Sequence, residues 1–313
     1  MREILVSGGS GFIGSTLLKH PCFKNAIAVG RNQPKEFDCF IHFDFKTDKD
    51  YEKLFKGINY VVHLAGIAHI PDSNSDEFLT ELFDINYKAT LKFASASAQA
   101  KVKRFIYISS IKVLGESSDY GKKFKNTDPY NPMDNYAKSK VETEKALIEL
   151  SHNTDMEIVI IRPPLVYGEN AKGNFRKLIN LVSFGVPLPL LSFKNKRSLV
   201  SVNNLIDLIN TCLTHPKAKN QIFLVSDGKD LSTPQIISII SKAIKKNTFI
   251  FYFPLFLLKM IFFILGKKHY YERLNNSLQI DNTFTCKKLN WSPKYNIEDD
   301  LFFFLNPNEK LKL

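Results

Sequence analysis

The stretch Ser7-Gly8-Gly9-Ser10-Gly11-Phe12-Ile13-Gly14 constrains the chain more than any other. It follows a short apolar run, Glu3–Ser7, and opens a helical pattern over Gly11–His20. Glycines at this spacing allow a tight turn and close backbone approach, and the helix N-terminus behind them presents N–H groups to a pyrophosphate. Such a loop needs a parallel strand–helix–strand unit around it, and the first half of the chain provides one. Strand-like runs at Glu3–Ser7, Ala26–Gly30, Cys39–Phe43, Tyr60–Leu64, Arg104–Ser109, Glu157–Arg162 and Gln221–Ser226 alternate with helix candidates at Gly11–His20, Asp50–Gly57, Asp76–Ala100 and Asn135–Ser151. Several runs are apolar throughout, as strands covered on both faces are. Right-handed crossovers then give an α/β, doubly wound parallel sheet of Rossmann type.

After Pro163 the alternation stops, and Pro163-Pro164 and Pro187-Leu188-Pro189 punctuate the rest. The expected organisation is a dinucleotide-binding domain over 1–163, with 198–226 returning to it. A smaller, mostly C-terminal substrate lobe takes 164–197 and 227–313. With 313 residues, 44% of them hydrophobic, the chain can bury a substantial core. The four scattered cysteines include no C-x-x-C pair, and the seven histidines no helical H-x-x-x-H pair, so no metal site is expected. His63, on an apolar strand, reads as packed near the cofactor. No signal peptide is read at the N-terminus, and a reducing cytoplasm is the expected setting. The net charge of +12 calls for an anionic partner or is an ordinary solvated surface; no nucleic-acid-binding motif accompanies it.

Within the expected cofactor cleft, Gly8, Ser10, Gly11, Phe12, Ile13 and Gly14 form the phosphate turn. An acid about 20 residues beyond such a loop would hold the ribose of NAD. The segment reads Ala28-Val29-Gly30-Arg31-Asn32 instead, which places Arg31 to meet a 2′-phosphate, so NADP is expected. Asp44, after the third strand, is a candidate acceptor for the adenine amino group, with Phe45 beside it. Tyr136 and Lys140 lie at i and i+4 near a helix start and share one face. A nearby ammonium favours the phenolate, lowering the phenol toward a range useful for acid–base work. Ser110 follows the strand Arg104–Ser109 at the sheet's carboxyl edge, where its hydroxyl can hold a substrate oxygen.

Taken in order, these residues resemble the extended short-chain dehydrogenase/reductase (NAD-dependent epimerase/dehydratase) family. The matching segments are Ser7-Gly8-x-x-Gly11-x-x-Gly14, His63-Leu64-Ala65-Gly66, Asn86 with Thr90, Ser109-Ser110-Ile-Lys-Val-Leu-Gly115, Tyr136-x-x-x-Lys140, Arg162-Pro-Pro-Leu-Val-Tyr-Gly168 and Arg197-Ser-Leu-Val. The resemblance implies that Tyr136 is the general acid/base, Lys140 its activator and a ribose ligand, and Ser110, before Ser109, the catalytic serine. It implies cofactor contacts from Leu64, Ala65, Gly66 and Asn86. It also implies substrate contacts from Asn174, Phe175 and Arg197, with Arg273 a second candidate for the diphosphate. A homodimer is implied in the same way.

The expected reaction is oxidoreduction at C4 of a UDP-sugar. Because relatives that recycle their nicotinamide generally carry an acid where Arg31 stands, the leading expectation is an NADP-dependent 4-ketoreductase making a UDP-N-acetyl-6-deoxyhexosamine. The alternative is a UDP-glucose or UDP-N-acetylhexosamine 4-epimerase with tightly bound NAD, with a polyprenyl-linked sugar left open as its substrate. A non-catalytic dinucleotide sensor is the third reading. Finally, Thr248–Gly266 is the most apolar window. The helix expected over Pro254–Leu265 is either buried between the lobes or an interfacial contact with the inner face of a membrane.

Overall fold

The computed structural model describes residues 3–68, 75–119, 121–171 and 173–306. β1 (Ile4–Ser7) leads through the glycine turn into α1 (Phe12–Lys19), then β2 (Ile27–Gly30), β3 (Phe40–His42) and β4 (Tyr60–His63). α2 (Asp76–Phe83), a π-helical turn (Asp84–Ala89) and α3 (Thr90–Gln99) follow, then β5 (Arg104–Ile108), α4 (Asn135–Asn153) and β6 (Glu157–Arg162). The rest comprises β7 (Leu165–Tyr167), α5 (Asn174–Ser183), β8 (Leu199–Ser201), α6 (Val202–Thr214), β9 (Gln221–Leu224), α7 (Thr233–Ala243), α8 (Leu255–Ile264), α9 (Lys268–Asn275), α10 (Thr283–Leu289) and α11 (Ile297–Leu305).

The seven expected strands form one parallel sheet in the order β3-β2-β1-β4-β5-β6-β9. Strand order reverses between β1 and β4, and a ligand crevice opens at the carboxyl ends of such a pair. Leu5, Val6, Val61, Val62, Phe105 and Ile106 are fully buried. On one face they meet Leu17 and Leu18 of α1 and Leu205, Leu208 and Ile209 of α6. On the other they meet Phe93 and Ala94 of α3 and Leu147 of α4. A separate core around Tyr167, Phe175, Val182, Ile237, Ile240 and Leu301 joins α5, α7 and α11.

Three local expectations change. The helix expected over Asp50–Gly57 is one 3-10 turn, Glu52–Leu54. Tyr51 and Phe55, on either side of that turn, set their rings against Phe43 and Phe93. The single helix expected over Asp76–Ala100 is broken by the π turn, which carries the buried Asn86. The Pro163-Pro164 pair ends β6, and the chain resumes as β7, paired in parallel with β8 in a second small sheet.

Arg104 fastens the sheet to α6. Its Nη1 donates to the carbonyls of Cys212, Leu213 and His215 (2.5, 3.0 and 3.0 Å), groups a helix C-terminus leaves unpaired. Its Nε donates to Glu157 Oε2 at 2.7 Å, and the residue is 2% exposed. Arg104→Met strands those carbonyls and a carboxylate, and chemical denaturation is expected to show a loss of about 3–5 kcal/mol. A loss near zero would mean that the bonds contribute nothing to stability.

Candidate active site

The glycine turn closes on itself and on the loop after β4. Gly8 has a φ of +74°, and a Cβ there would lie 2.6 Å from the Ala65 amide nitrogen. A Cβ on Gly14 would lie 2.2 Å from the Gly8 carbonyl oxygen, so α1 packs too closely on the turn for any side chain. Gly11 begins α1 with no side-chain cap and no acid in the first turn, leaving N–H groups for an anion. Ser10 and Gly11 are exposed, and Phe12 and Ile13 partly so. This cradle fits a dinucleotide's pyrophosphate.

His63 locks the cradle to the sheet. Its Nδ1 shares a hydrogen bond with Ser7 Oγ (2.7 Å) and its Nε2 one with Thr90 Oγ1 (2.9 Å). Burial, followed by the Lys140 charge, pushes its pKa down to about 3, so it stays neutral. The Ser7 hydroxyl also accepts from the Ala65 amide at 3.4 Å. Asn86, 1% exposed on the π turn, accepts from Ile67 N (2.7 Å) and donates to Ile67 O (3.0 Å) and Ser139 Oγ (3.1 Å). It thereby fixes the Leu64–Gly66 loop against α4. π turns often sit at functional sites, and this one turns an amide inward where an unbroken α-helix would carry on.

That loop connects the two halves of the site. A Cβ on Gly66 would meet Asn86 Oδ1 at 3.0 Å and Lys140 Nζ at 3.8 Å. Contact thus runs unbroken from Gly8 through Ala65 and Gly66 to Lys140. Lys140 is 6% exposed, donates to the Ile108 carbonyl at 3.0 Å, and stands 4.6 Å from the Tyr107 ring centroid and 5.9 Å from that of Tyr136. Burial lowers its pKa to about 8, opposed by Glu144.

Asp134 caps α4 by accepting from Ala137 N at 2.7 Å, and Lys112 Nζ pairs with it at 2.6 Å, setting the helix start two residues before Tyr136. The Ser110 hydroxyl lies close enough to the Tyr136 phenol to lower its pKa. One expectation reverses here. Burial pushes the phenol up to about 12, opposed by the Ser110 hydroxyl, with Asp134 raising it further. Desolvation is the largest effect on the phenol, which holds its proton at neutral pH.

Sequence reasoning missed the layer beneath. Glu144, fully buried one turn beyond Lys140, receives Arg162 Nη2 at 2.6 Å, Tyr130 Oη at 3.0 Å and the Ser109 hydroxyl. Ser109 is thereby committed to the interior, and Ser110 is the serine that meets the phenol. The four-residue spacing from Lys140 was the available signal.

The remaining candidates divide. Arg31 is exposed on the loop after β2. Asp44 closes its own turn by accepting from Lys46 N at 2.9 Å, and the Phe45 ring packs on Phe43, Phe93 and His63. Phe175, expected at the substrate, is 1% exposed with its ring against Tyr167, so it belongs to the core of its lobe. Asn174 opens α5, but its side chain lies outside the described residues. Arg197 and Arg273, far apart in sequence, come together: Arg197 Nη1 donates to the Arg273 carbonyl at 3.1 Å and to that of Asn276 at 3.0 Å. Burial, then the neighbouring Arg273 charge, lowers the Arg197 pKa. The two positive charges oppose one another, which an anion bound nearby would relieve.

The description "NAD dependent epimerase/dehydratase family" matches residues 4–226. The chain belongs to that family. It is 41% identical over 304 residues to a UDP-glucose 4-epimerase of Vibrio cholerae, covering 95% of this chain and 93% of the relative. It is 26% identical over 253 residues to an N-acetyl-alpha-D-glucosaminyl-diphospho-ditrans,octacis-undecaprenol 4-epimerase of Escherichia coli O157:H7, covering 78% and 73%. Among solved structures, a UDP-glucuronic acid 4-epimerase from Bacillus cereus in complex with UDP-glucuronic acid and NAD superposes with a TM-score of 0.77 at 21% identity, covering 99% of both chains. The protein is therefore an enzyme of an NAD-dependent nucleotide-sugar epimerase family.

A buried amine with a pKa near 8, against an ordinary 10.5, weakens the fold at neutral pH. Between those values the unfolded chain binds a proton that the folded chain has shed, so stability rises with pH there. Below about 8 the cost is fully present. Lys140→Met is expected to be more stable than the parent by about 1–3 kcal/mol at pH 7. The margin should shrink as pH climbs toward 10.5. Thermal midpoints across pH check this, and a less stable variant at pH 7 would contradict it.

Proposed function

We propose that the enzyme interconverts the C4 epimers of a UDP-hexose, with UDP-galactose and UDP-glucose the first pair to try, and keeps NAD bound through the cycle. The observation that carries this is the 41% identity, over nearly the whole chain, to a UDP-glucose 4-epimerase. The placement of Ser110, Tyr136 and Lys140 beside the glycine turn supports it. Bound NAD would supply the acceptor that takes the C4 hydrogen and returns it to the opposite face of the sugar.

The protein's own part is to manage the proton and hold the anion. Tyr136 takes the proton of the C4 hydroxyl as that carbon is oxidised and gives it back as the carbon is reduced. Ser110, beside the phenol, bonds the C4 oxygen and keeps it in line. A phenol near 12 rests as the acid, so forming its phenolate needs positive charge close by, and Lys140 is the chain's own source. Arg197 and Arg273 grip the diphosphate. Anchoring there, and not on the hexose, leaves the sugar ring free to turn between oxidation and reduction.

A second reading rests on Arg31. With that guanidinium and no acid at the end of β2, a 2′-phosphate would be welcome, and the enzyme would be an NADP-dependent 4-ketoreductase. Incubating purified protein with UDP-galactose and no added nucleotide separates the two. The epimerase forms UDP-glucose and releases NAD on denaturation. A stoichiometric need for NADPH, lost in Arg31→Ala, would overturn the epimerase reading in favour of the reductase. For either, Tyr136→Phe is expected to lower kcat by about 10²–10⁴-fold with nucleotide binding intact. Arg197→Ala is expected to act mainly on KM.

A further inference from the structure

α8 is built against the usual rule for helices in globular domains, which bury their apolar stripe. Its sequence is LFLLKMIFFI, with Lys259 the single charge, and only Leu258 is buried. Phe256, Met260, Phe263 and Ile264 are 71%, 53%, 69% and 74% exposed, and Leu265 is 63% exposed. The expectation of burial between lobes therefore fails.

The helix extends a larger surface. Backbone bonds from Leu188 N to Phe249 O (2.8 Å) and from Leu191 N to Phe251 O (3.1 Å) join the strand entering α8 to the loop after α5. Exposed Phe249 and Tyr252 thus adjoin exposed Phe184, Val186 and Leu191. Apolar surface drawn from two distant segments marks a binding face.

Charge identifies the occupant. Residues 242–273 contain six lysines (Lys242, Lys245, Lys246, Lys259, Lys267 and Lys268) and Arg273 against a single acid, Glu272, which is already paired with Lys268 at 3.6 Å. A second copy docked symmetrically would set lysine against lysine with only that one engaged carboxylate on each side. An anionic lipid surface satisfies both features, taking the apolar side chains among its acyl chains and the lysines among its headgroups. A ten-residue helix is about 15 Å long against a hydrocarbon core of about 30 Å, so it can lie in the interface but not span it. Among the described residues no helix is long and apolar enough to cross a membrane.

We propose that α8 and its lysine rim dock this enzyme on an anionic bilayer. The docked helix leads through Lys267 and Lys268 into α9, which carries Arg273 beside Arg197. The diphosphate-binding pair would therefore sit one helix away from the lipid. The proposal does not depend on which C4 reaction the enzyme performs.

The test is co-sedimentation of the full chain with vesicles of phosphatidylcholine, alone or mixed with phosphatidylglycerol. Binding is expected only to the mixed vesicles and should weaken as salt rises. Lys267→Glu with Lys268→Glu should cut binding more than about tenfold, at roughly fivefold per lysine. Phe263→Ser with Ile264→Ser should abolish it, both pairs keeping the parent's thermal midpoint and nucleotide binding. Absent binding to anionic vesicles, or binding unchanged in both variants, would overturn the proposal. So would a fall in oligomeric mass on Phe263→Ser with Ile264→Ser, which would assign the face to a second copy.

Discussion

The structure is organised around an amine kept out of water. Lys140 is almost wholly buried, with its ammonium against the Ile108 carbonyl, the Tyr107 ring and Gly66. To hold it there, the carboxyl end of β5, the loop after β4 and the first turns of α4 must converge within a few ångströms. Each is fixed by its own contacts: Asn86 on the loop, Asp134 and Lys112 on the helix start, and the Glu144–Arg162 pair below. Desolvating a charge is unfavourable, and a fold that bears this penalty beside a phenol and a phosphate cradle is set up for proton transfer.

How much of this was legible in the sequence follows from physical pattern. Strands buried on both faces read as unbroken apolar runs, so all seven members of the sheet were visible. The glycine turn was visible because only glycine tolerates the approach of Gly8 to Ala65. The π turn was not, since a helix carrying one inserted residue has nearly the same apolar rhythm as one without. Phe175 misled because a phenylalanine after a glycine looks the same whether it faces a ligand or a core. α8 is the same problem inverted, for an all-round apolar helix reads identically when buried in protein and when turned outward. The phenol's pKa was misjudged because proximity along a helix says nothing about desolvation, the larger effect here.

The pairing of Arg197 with Arg273 shows what three dimensions add. Neither arginine has a neighbouring motif that predicts the other, and their meeting requires β8 and α9 to be brought together by the C-terminal lobe. In the proposed reading that lobe supplies the anion-binding wall while the sheet supplies the cofactor turn and the tyrosine, so that affinity for the diphosphate and chemistry at the sugar would fall to separate parts of the chain. Such a division suits a reaction in which the hexose must present both faces in turn.

The central claim is that a hydrogen leaves C4 and returns to it without exchanging with water, while Tyr136 moves only the oxygen's proton. Running the conversion of UDP-galactose in D2O without added nucleotide, and reading C4 of the product by proton NMR, tests this most directly. The account predicts UDP-glucose carrying protium at C4. Deuterium at that carbon, or no product until a reduced nucleotide is supplied, would contradict it.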